Sequence, residues 1–289
     1  MTDLAAQFEA LRPHLTRVAY GILGSLGEAE DVVQDAWFRL GRADADQIED
    51  LRAWLTTVVG RLALDALGSA RRRRESYVGE WLPEPVVEEI GEDPTLDEAV
   101  STALLVVLER LSPAERTAFL LHDVFELPFD EVAAVVGRSP AAVRQLASRA
   151  RGHVESGRPR FPASAEDEER IAGAFAIAWQ EGALDKLLVL LDPDSVLRSD
   201  GGGRVPAAGK PLVGAERVAR ALVGLARAAT LAGREVRGRF ARVNGATGLI
   251  VEESETTSVV SLTIDAGRIV AVDIVRNPDK LRRLVPPAP

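Results

Sequence analysis

The sequence predicts a multidomain protein in which two all-α modules precede a C-terminal α+β domain. Up to residue 157, apolar residues recur at three- and four-residue spacing, which indicates amphipathic helices. Two proline-containing segments, 76–100 and 158–165, interrupt this pattern and are typical of linkers. Beyond residue 233, four alternating stretches are separated by turns, with the dipeptides Asn244-Gly245 and Ala266-Gly267 at two of them. This order predicts helices followed by an antiparallel sheet in a layered α+β domain, 166–289.

The composition is that of a soluble protein with more than one core. The chain has 289 residues, 46% of them hydrophobic and 27% charged, with a formal net charge of −9. No apolar run approaches the ~20 residues that a membrane helix needs. The N-terminus lacks the basic-then-apolar order of a signal peptide. We therefore expect a cytoplasmic protein with no membrane partner.

Cysteine is absent, which excludes disulfides, thiolate metal sites and thiol redox switches. We expect no metal site and no cofactor. The net charge of −9 is an average over segments of opposite charge. Four consecutive arginines occupy 71–74, whereas acidic residues are concentrated between residues 80 and 98. The charge pattern suggests basic DNA-facing helices in a chain that is otherwise acidic.

The first module, 1–75, contains three predicted helices. Residues 3–24 are amphipathic, and Pro13 within them predicts a kink or a break near Arg12. Ser25 is the expected N-cap of the second helix, whose acidic residues lie early and whose arginines lie late, as the helix dipole favours. A polar loop at 43–50 precedes a long third helix with a strongly basic end.

The second module, 101–157, contains the pattern of two helices that meet at Gly137. Glycine suits the left-handed conformation that ends a helix, and Ser139 with Pro140 provides an N-cap and a first helical residue. The exposed face of the following helix carries guanidinium, amide and hydroxyl groups, which suit phosphates and base edges in a major groove. We predict a helix-turn-helix. Its candidate DNA-binding residues are Ser139, Arg144, Gln145, Ser148, Arg149 and Arg151.

A helical hairpin with a solvated basic face would show the same pattern, because the capping signals fix geometry rather than function. The rest of the chain favours one reading. AEDVVQDAWFRL followed by LRAWLTTVVGRLALDAL resembles region 2 of extracytoplasmic-function sigma factors, the small bacterial promoter-specificity subunits. Residues 111–151 resemble their region 4. The resemblance implies core RNA polymerase, through its β′ clamp helices and its β flap, and promoter DNA as partners.

The resemblance also assigns roles to individual residues. An acidic helix face matches the positions that dock on the β′ clamp helices, namely Asp31, Gln34, Asp35 and Phe38. Acidic side chains on this face would complement a basic coiled coil such as the clamp helices. The loop at 43–50 and the helix after it match the part that reads the −10 element, and the arginine run matches phosphate contacts. The −10 candidates are Arg52, Thr56, Arg61, Arg71, Arg72 and Arg73.

Three short motifs match a subgroup of these sigma factors that carries a SnoaL-like C-terminal extension. They are WLPEP at 81–85 in the acidic linker, DGGG at 200–203 and NPDKL at 277–281. The first is a candidate docking segment, since an exposed Trp usually packs on a surface; an ordinary tether is the alternative. The interdomain regulatory candidates are Trp81, Leu82, Pro83, Asp200, Gly201, Gly202, Gly203, Asn277, Pro278, Asp279 and Lys280.

The C-terminal domain thus resembles a SnoaL-like, NTF2-type cone. Such cones often house acid–base catalysis, and Asp200 is the candidate acid, with Asp194, Arg198 or Asp273 as neighbours. However, the cone has no histidine and no carboxylate pair at a telling spacing. We expect a regulatory module without enzymatic activity, and the cone is a candidate site for a small-molecule ligand.

Three functions are compatible with the sequence. The first is a sigma factor that reads −10 and −35 elements and is modulated by its fused cone. The second is a stand-alone transcription regulator with a ligand-binding cone, and the third is a cone enzyme fused to DNA-binding helices. Association with core RNA polymerase distinguishes the first from the second, and ligand turnover would support the third.

Overall fold

The structure, a computed structural model, describes residues 2–44, 47–88, 100–157, 161, 163–254 and 256–284. The chain divides into two compact units. The helical unit comprises Met1–Ser76 and Thr95–Arg158, and the C-terminal unit comprises Tyr77–Pro94 and Pro159–Pro289. Parts of the predicted −10 loop and of both predicted linkers lie outside the described residues. Within the described part, every helix is too short or too polar to span a bilayer.

The first three helices of the helical unit are α1 (Thr2–Leu23), α2 (Leu26–Leu40) and α3 (Leu51–Glu75). Ser25 caps α2, as predicted, by accepting a hydrogen bond from the Glu28 amide at 3.5 Å. Of the kink or break predicted near Arg12, the break does not occur, because α1 continues through Pro13. Proline removes a single intrahelical hydrogen bond, and burial of the following Leu15 and Val18 against neighbouring helices offsets that loss.

The second half of the helical unit contains α4 (Thr102–Leu108), α5 (Pro113–Phe119), a π-helical turn (Leu120–Val124), α6 (Phe129–Val136) and α7 (Pro140–Gly157). The predicted helix-turn-helix is formed by α6 and α7. Gly137 ends α6 in the left-handed conformation with φ of 68°. The Ser139 hydroxyl accepts a hydrogen bond from the Ala142 amide at 3.3 Å, so α7 begins as the sequence predicted.

The C-terminal unit packs helices against one curved sheet. Its helices are α8 (Ala165–Gln180), α9 (Leu184–Leu190) and α10 (Ala215–Leu231). Its strands are β1 (Val87–Glu88), β2 (Leu191–Asp200), β3 (Leu212–Val213), β4 (Val236–Val243), β5 (Ala246–Glu253), β6 (Thr256–Asp265) and β7 (Arg268–Val275). In the described part the strand order is β1-β4-β5-β6-β7-β2-β3. This arrangement confirms the predicted α+β domain, in which helices precede most of a layered sheet.

The core of the C-terminal unit lies between the helices and one face of the sheet. Phe175 of α8, Leu222 of α10 and Val260 of β6 are each fully buried in it. The Trp179 indole N–H donates to the Leu222 carbonyl at 2.9 Å, which joins α8 to α10. Apolar side chains therefore fill the inside of the cone.

The sheet differs from the prediction in its direction of pairing and in its number of strands, since β1, β2 and β3 add to the four predicted stretches. It was expected to be antiparallel, but β2 runs parallel to β7 over six paired positions. The sequence of β2, LDPDSVLRSD, hides the strand because Pro193 and several acids break its alternation. A register shift between Leu191 and Val196 accommodates this irregular stretch. The addition of β2 brings Asp200 to the end of the sheet beside Val275.

Candidate functional site

The predicted polymerase-docking residues form one exposed stripe on α2. Asp31, Gln34, Asp35 and Phe38 recur at three- and four-residue spacing, and all four are exposed. The Phe38 side chain is 52% exposed, although a ring of this size is usually buried. An exposed ring beside two carboxylates is a surface that suits a partner with both apolar and basic groups.

The predicted −35 face of α7 is also open to solvent. Ser139, Arg144, Gln145, Ser148 and Arg149 are all exposed, while Val143, Ala147 and Ala150 are buried behind them. The Arg144 guanidinium lies 5.2 Å from the centre of the Phe129 ring, an arrangement that orients the side chain by a cation–π contact. Arg151 differs from the others because it forms an ion pair with Asp123.

The predicted −10 residues of α3 divide into two groups. Arg52 and Arg61 are exposed and remain available to a nucleic acid. The expectation for Thr56 is wrong, because its side chain is 1% exposed. Its hydroxyl donates to the Arg52 carbonyl at 2.7 Å and lies 3.1 Å from the His14 ring nitrogen Nε2. Thr56 is therefore an internal contact between α1 and α3.

The arginine run at the end of α3 is only partly a basic surface. Arg71, Arg72 and Arg73 are exposed, as a phosphate contact requires. Arg71 also donates to the Leu111 carbonyl at 3.0 Å, and Arg73 forms an ion pair with Glu28. Arg74 is used internally: its side chain is 13% exposed and pairs with Glu109 at 2.6 Å. The sequence predicted that the run 71–74 follows phosphates, and the internal ion pair of Arg74 contradicts this for the last arginine of the run.

The three subgroup motifs meet around Asp200, which is completely buried. Its carboxylate accepts four hydrogen bonds. The donors are the Tyr77 hydroxyl at 2.6 Å, the Leu82 amide at 3.0 Å, the Gly202 amide at 3.0 Å and the Lys280 ammonium at 2.6 Å. A buried carboxylate is tolerated when its lone pairs are satisfied in this way. Asp200 thus joins the linker motif, the glycine loop and the C-terminal motif.

Lys280 completes the contact with the linker. Its ammonium group donates to the Leu82 carbonyl as well as to Asp200, and it lies 4.0 Å from the centre of the Trp81 ring. Leu82 itself is buried, with 2% of its side chain exposed. Both backbone groups of Leu82 are therefore held by charged side chains of the C-terminal unit, and its neighbour Trp81 covers the ammonium group.

The glycines of the DGGG motif permit a close approach of backbone to side chains. Gly202 and Gly203 have φ of 61° and 69°, in the left-handed region. A Cβ atom on Gly202 would lie 2.4 Å from the Asn277 side chain, and one on Gly203 would lie 3.1 Å from Val78. On Gly201 it would meet the Val205 carbonyl oxygen at 2.2 Å. Gly201 and Gly202 exclude a side chain because a partner occupies the space, whereas at Gly203 the left-handed backbone disfavours one.

The other predicted residues of the cluster differ in position. Pro83 is buried, and the Asn277 amide donates to the Tyr77 hydroxyl at 2.8 Å. Pro278 and Asp279 are exposed. The Asp279 carboxylate pairs with Arg282 at 2.6 Å and with Arg204 at 3.3 Å. These ion pairs brace the C-terminal turn and do not involve the linker.

The sequence did not identify Tyr77 as part of this cluster. Burial raises the pKa of the Tyr77 hydroxyl, and its hydrogen bond to Asp200 raises that pKa further. The group therefore stays protonated and donates to the carboxylate. Its position four residues before Trp81 was the available signal, but a single tyrosine in a linker has no distinctive pattern.

A second anchor holds the linker at β1, and Asn244 contributes to it. Val87 and Glu88 pair with the end of β4 as an antiparallel edge strand. The Asn244 amide donates to the Val86 carbonyl at 2.8 Å, and its side-chain oxygen accepts from the Val86 amide at 3.3 Å. The sequence identified Asn244 only as a turn residue, a role that its φ of 50° confirms.

Comparisons with known proteins agree with both units. Residues 7–73 match the family described as Sigma-70 region 2, and residues 101–154 match the family described as Sigma-70, region 4. The chain is 41% identical over 290 residues to "ECF RNA polymerase sigma factor SigJ" of Mycobacterium tuberculosis, covering 95% of this chain and 92% of that protein. It is 35% identical to "Probable ECF RNA polymerase sigma factor SigI" of the same species, covering 96% and 94%.

A solved structure extends the similarity to the whole fold. The crystal structure of SigJ superposes with a TM-score of 0.80 at 38% identity, covering 96% of this chain and 98% of that one. Two matched sigma regions and a relative that is similar over nearly its full length identify the family. The chain belongs to the extracytoplasmic-function (ECF) RNA polymerase sigma factors.

Proposed function

We propose that the C-terminal domain modulates this sigma factor by holding the segment that joins region 2 to region 4. As an ECF sigma factor, the chain directs transcription initiation at promoters. The observation that carries the proposal is the position of residues 77–88, which follow region 2 in sequence but belong to the C-terminal unit. Asp200 and Lys280 bind both backbone groups of Leu82, and β1 pairs with β4.

The physical consequence is a change in tether length. While residues 77–88 are bound, the separation of their two ends is fixed. They then contribute no adjustable length to the chain between the two DNA-binding modules. An extended chain spans about 3.3 Å per residue, so release of this segment lengthens the tether by up to about 40 Å. The C-terminal domain would therefore change how far region 2 and region 4 can separate, without covering the DNA-binding surface of either module.

The remaining roles follow the exposed surfaces. The acidic stripe on α2 supports docking on the β′ clamp helices of core polymerase, and α7 supports reading of the −35 element in a major groove. Arg52 and Arg61 support contacts with the −10 element, and Arg71, Arg72 and Arg73 support contacts with phosphates. Region 4 is also expected to contact the β flap.

The interior of the cone supports a role without catalysis. Its core cluster is apolar, and two buried carboxylates of the C-terminal unit, Asp200 and Asp273, are already engaged. Asp200 accepts four hydrogen bonds, and Asp273 pairs with Arg198 at 2.6 Å. A carboxylate that a buried cation neutralises is a poor general base. A cleft of about 480 Å³ near Leu188, Val213 and Arg268 is the place to test for a small ligand.

Truncation tests the regulatory proposal. Removing the tail from Asn277 deletes Lys280, and removing residues 166–289 deletes Asp200 as well, so promoter-dependent transcription should change with either truncation. The measurement is run-off transcription with purified core polymerase, together with co-purification of the polymerase. Lys280→Met removes the same contact without shortening the chain, and Lys210→Met at an exposed position is its matched control. Unchanged transcription by both truncations and by Lys280→Met would reject the regulatory role.

Arg149→Ala tests the −35 assignment. If its guanidinium reads a base, the substitution should cost roughly 1–3 kcal/mol of promoter binding and relax the preference at one position. Binding of the polymerase complex to a panel of −35 variants measures both effects. Arg151→Ala is the comparison, because Arg151 is already paired with Asp123 and should affect specificity less. Uniform weakening across the panel would make Arg149 a phosphate contact instead.

A further inference from the structure

Two aromatic rings of region 4, those of His122 and Phe129, are stacked on each other. Their centres lie 3.7 Å apart, and their planes differ by 28°. The rings come from different elements, since His122 belongs to the π-helical turn and Phe129 is the first residue of α6. Both residues are only half-buried, so the stack reaches the surface of region 4.

An arginine of the predicted −35 face joins this stack. The guanidinium carbon of Arg144 lies over the Phe129 ring, 5.2 Å from its centre, and Arg144 is exposed. Phe129 thus connects a ring of the π-helical turn to a side chain that faces solvent on α7. We call His122, Phe129 and Arg144 the Arg144 stack.

A hydrogen bond fixes the orientation of the His122 ring. Its Nδ1 lies 2.9 Å from the Leu127 carbonyl oxygen. Because a carbonyl oxygen can only accept, Nδ1 carries the proton and donates. The backbone before this carbonyl is constrained too, since Glu126 has φ of 59°, in the left-handed region, and the Leu127 amide donates to the Leu121 carbonyl at 2.8 Å. The ring cannot turn away from Phe129 without breaking its bond to this loop.

The π-helical turn has a second connection to α7, at the residue after His122. Asp123 forms an ion pair with Arg151. Arg144 and Arg151 are seven positions apart, which is about two helical turns, so they lie on the same side of α7. π-helical turns are rare and occur frequently at functional sites. Two adjacent residues of this one therefore connect to the same side of the helix that is proposed to read DNA.

We propose that His122 and Phe129 are positioning residues, which hold the Arg144 guanidinium in the orientation that reads a base of the −35 element. The inference rests on the proposed −35 role of α7. Both residues act through Arg144, so neither needs to touch DNA itself.

Preorganisation is the physical reason for such a stack. A free arginine side chain occupies many rotamers, and ordering it on DNA opposes binding. A guanidinium that lies over an aromatic ring has already lost part of this freedom, while the N–H groups at the edge of its plane stay available. Two such N–H groups match the O6 and N7 acceptors that guanine presents in the major groove. A guanidinium that moves freely can instead turn to a phosphate, so the stack should raise discrimination between base pairs more than total affinity.

Binding of the full-length chain, in complex with core polymerase, to a panel of −35 variants tests the proposal. Arg144→Met first identifies the base pair that Arg144 reads, as the position at which the panel is no longer distinguished. His122→Leu and Phe129→Leu each remove one ring. Each should lower discrimination at that position by about three- to tenfold and leave the other positions unchanged. His122→Phe retains a ring and should preserve discrimination.

Three controls separate positioning from a general structural role. His122→Asn keeps a donor for the Leu127 carbonyl but lacks the ring, so it should lose discrimination as His122→Leu does. His153→Leu replaces an exposed histidine of α7, whose Nδ1 lies 3.0 Å from the Arg149 carbonyl oxygen, and should leave discrimination unchanged. Adding His122→Leu to Arg144→Met should cause no further loss, because His122 acts through Arg144. Circular dichroism checks that each variant keeps its helices, and His122→Asn decides the result if His122→Leu does not.

The outcomes distinguish the Arg144 stack from the function on which it rests. Unchanged discrimination in both His122→Leu and Phe129→Leu would overturn the positioning role and leave Arg144 as a base contact. Equal weakening on every member of the panel, or a further loss in the double variant, would also overturn it, because His122 would then act only on the fold. If Arg144→Met leaves every −35 position unchanged, the proposed −35 role of Arg144 fails, and the inference fails with it.

Discussion

Replacing Asp200 with Asn is expected to destabilise the C-terminal unit by roughly 3–5 kcal/mol, because it leaves the buried Lys280 ammonium without its counter-charge. The substitution also places an amide N–H₂ where four donors converge, so at least one donor loses its acceptor. The expected result is loss of the linker contact before loss of the sheet, since β4 to β7 do not depend on this carboxylate.

Hydrogen exchange of the Leu82 amide measures the loss of the linker contact directly, because this amide donates to Asp200. Its protection should fall in Asp200→Asn, while amides in β6 should change less. Glu216→Gln on α10 removes one carboxylate from an ion pair whose side chains are 67–68% exposed, and it should leave both amides unchanged. Wild-type protection at Leu82 in Asp200→Asn would show that the carboxylate does not hold the linker.

Reversing the charge of the α2 stripe with Asp31→Arg and Asp35→Arg is expected to weaken binding to core polymerase by at least about a hundredfold. The reason is that like charges placed opposite a basic partner cost several kcal/mol, whereas the fold should tolerate exposed substitutions. Equilibrium titration of labelled sigma factor with core polymerase, at two salt concentrations, gives the measurement. The loss should be smaller at high salt because the repulsion is screened.

A matched control for charge reversal lies on α8. Glu166→Arg and Glu169→Arg change the net charge by the same amount at exposed positions outside region 2. Their polymerase affinity should remain close to that of the wild-type chain. Equal losses in both double variants would assign the effect to total charge and would remove the α2 stripe as a docking surface.

Much of the fold could be predicted because local chemistry and burial agree. The turn at Gly137, the caps at Ser25 and Ser139 and the hairpin at Asn244 each have one residue that suits the backbone. Helix periodicity then places the α2 and α7 faces on the surface. β2 could not be predicted, since its pairing with β7 is non-local and its own sequence does not alternate.

The site was predictable only as far as short motifs marked it. The three subgroup motifs were predicted to take part in interdomain contacts, and Asp200 contacts both the linker and the tail. The roles of Tyr77 and Asn244 depend on partners 123 and 158 positions away in the sequence, so no local pattern indicates them. Thr56 shows the opposite error, because a residue that suits DNA by type is buried by the packing of α1 on α3.

The Leu82 contact has a consequence for how strong a regulatory interaction must be. The WLPEP motif and the Asp200–Lys280 site that binds it belong to one polypeptide. The effective concentration of the motif at this site is therefore in the millimolar range. A contact with an intrinsic dissociation constant near 10 µM would then be occupied about 99% of the time, a bias of about 2.7 kcal/mol. A separate inhibitor would need far higher affinity to reach the same occupancy at cellular concentrations. Under the proposed regulatory role, fusion permits a contact weak enough to be reversed by a modest signal, and it supplies one C-terminal domain for each sigma factor.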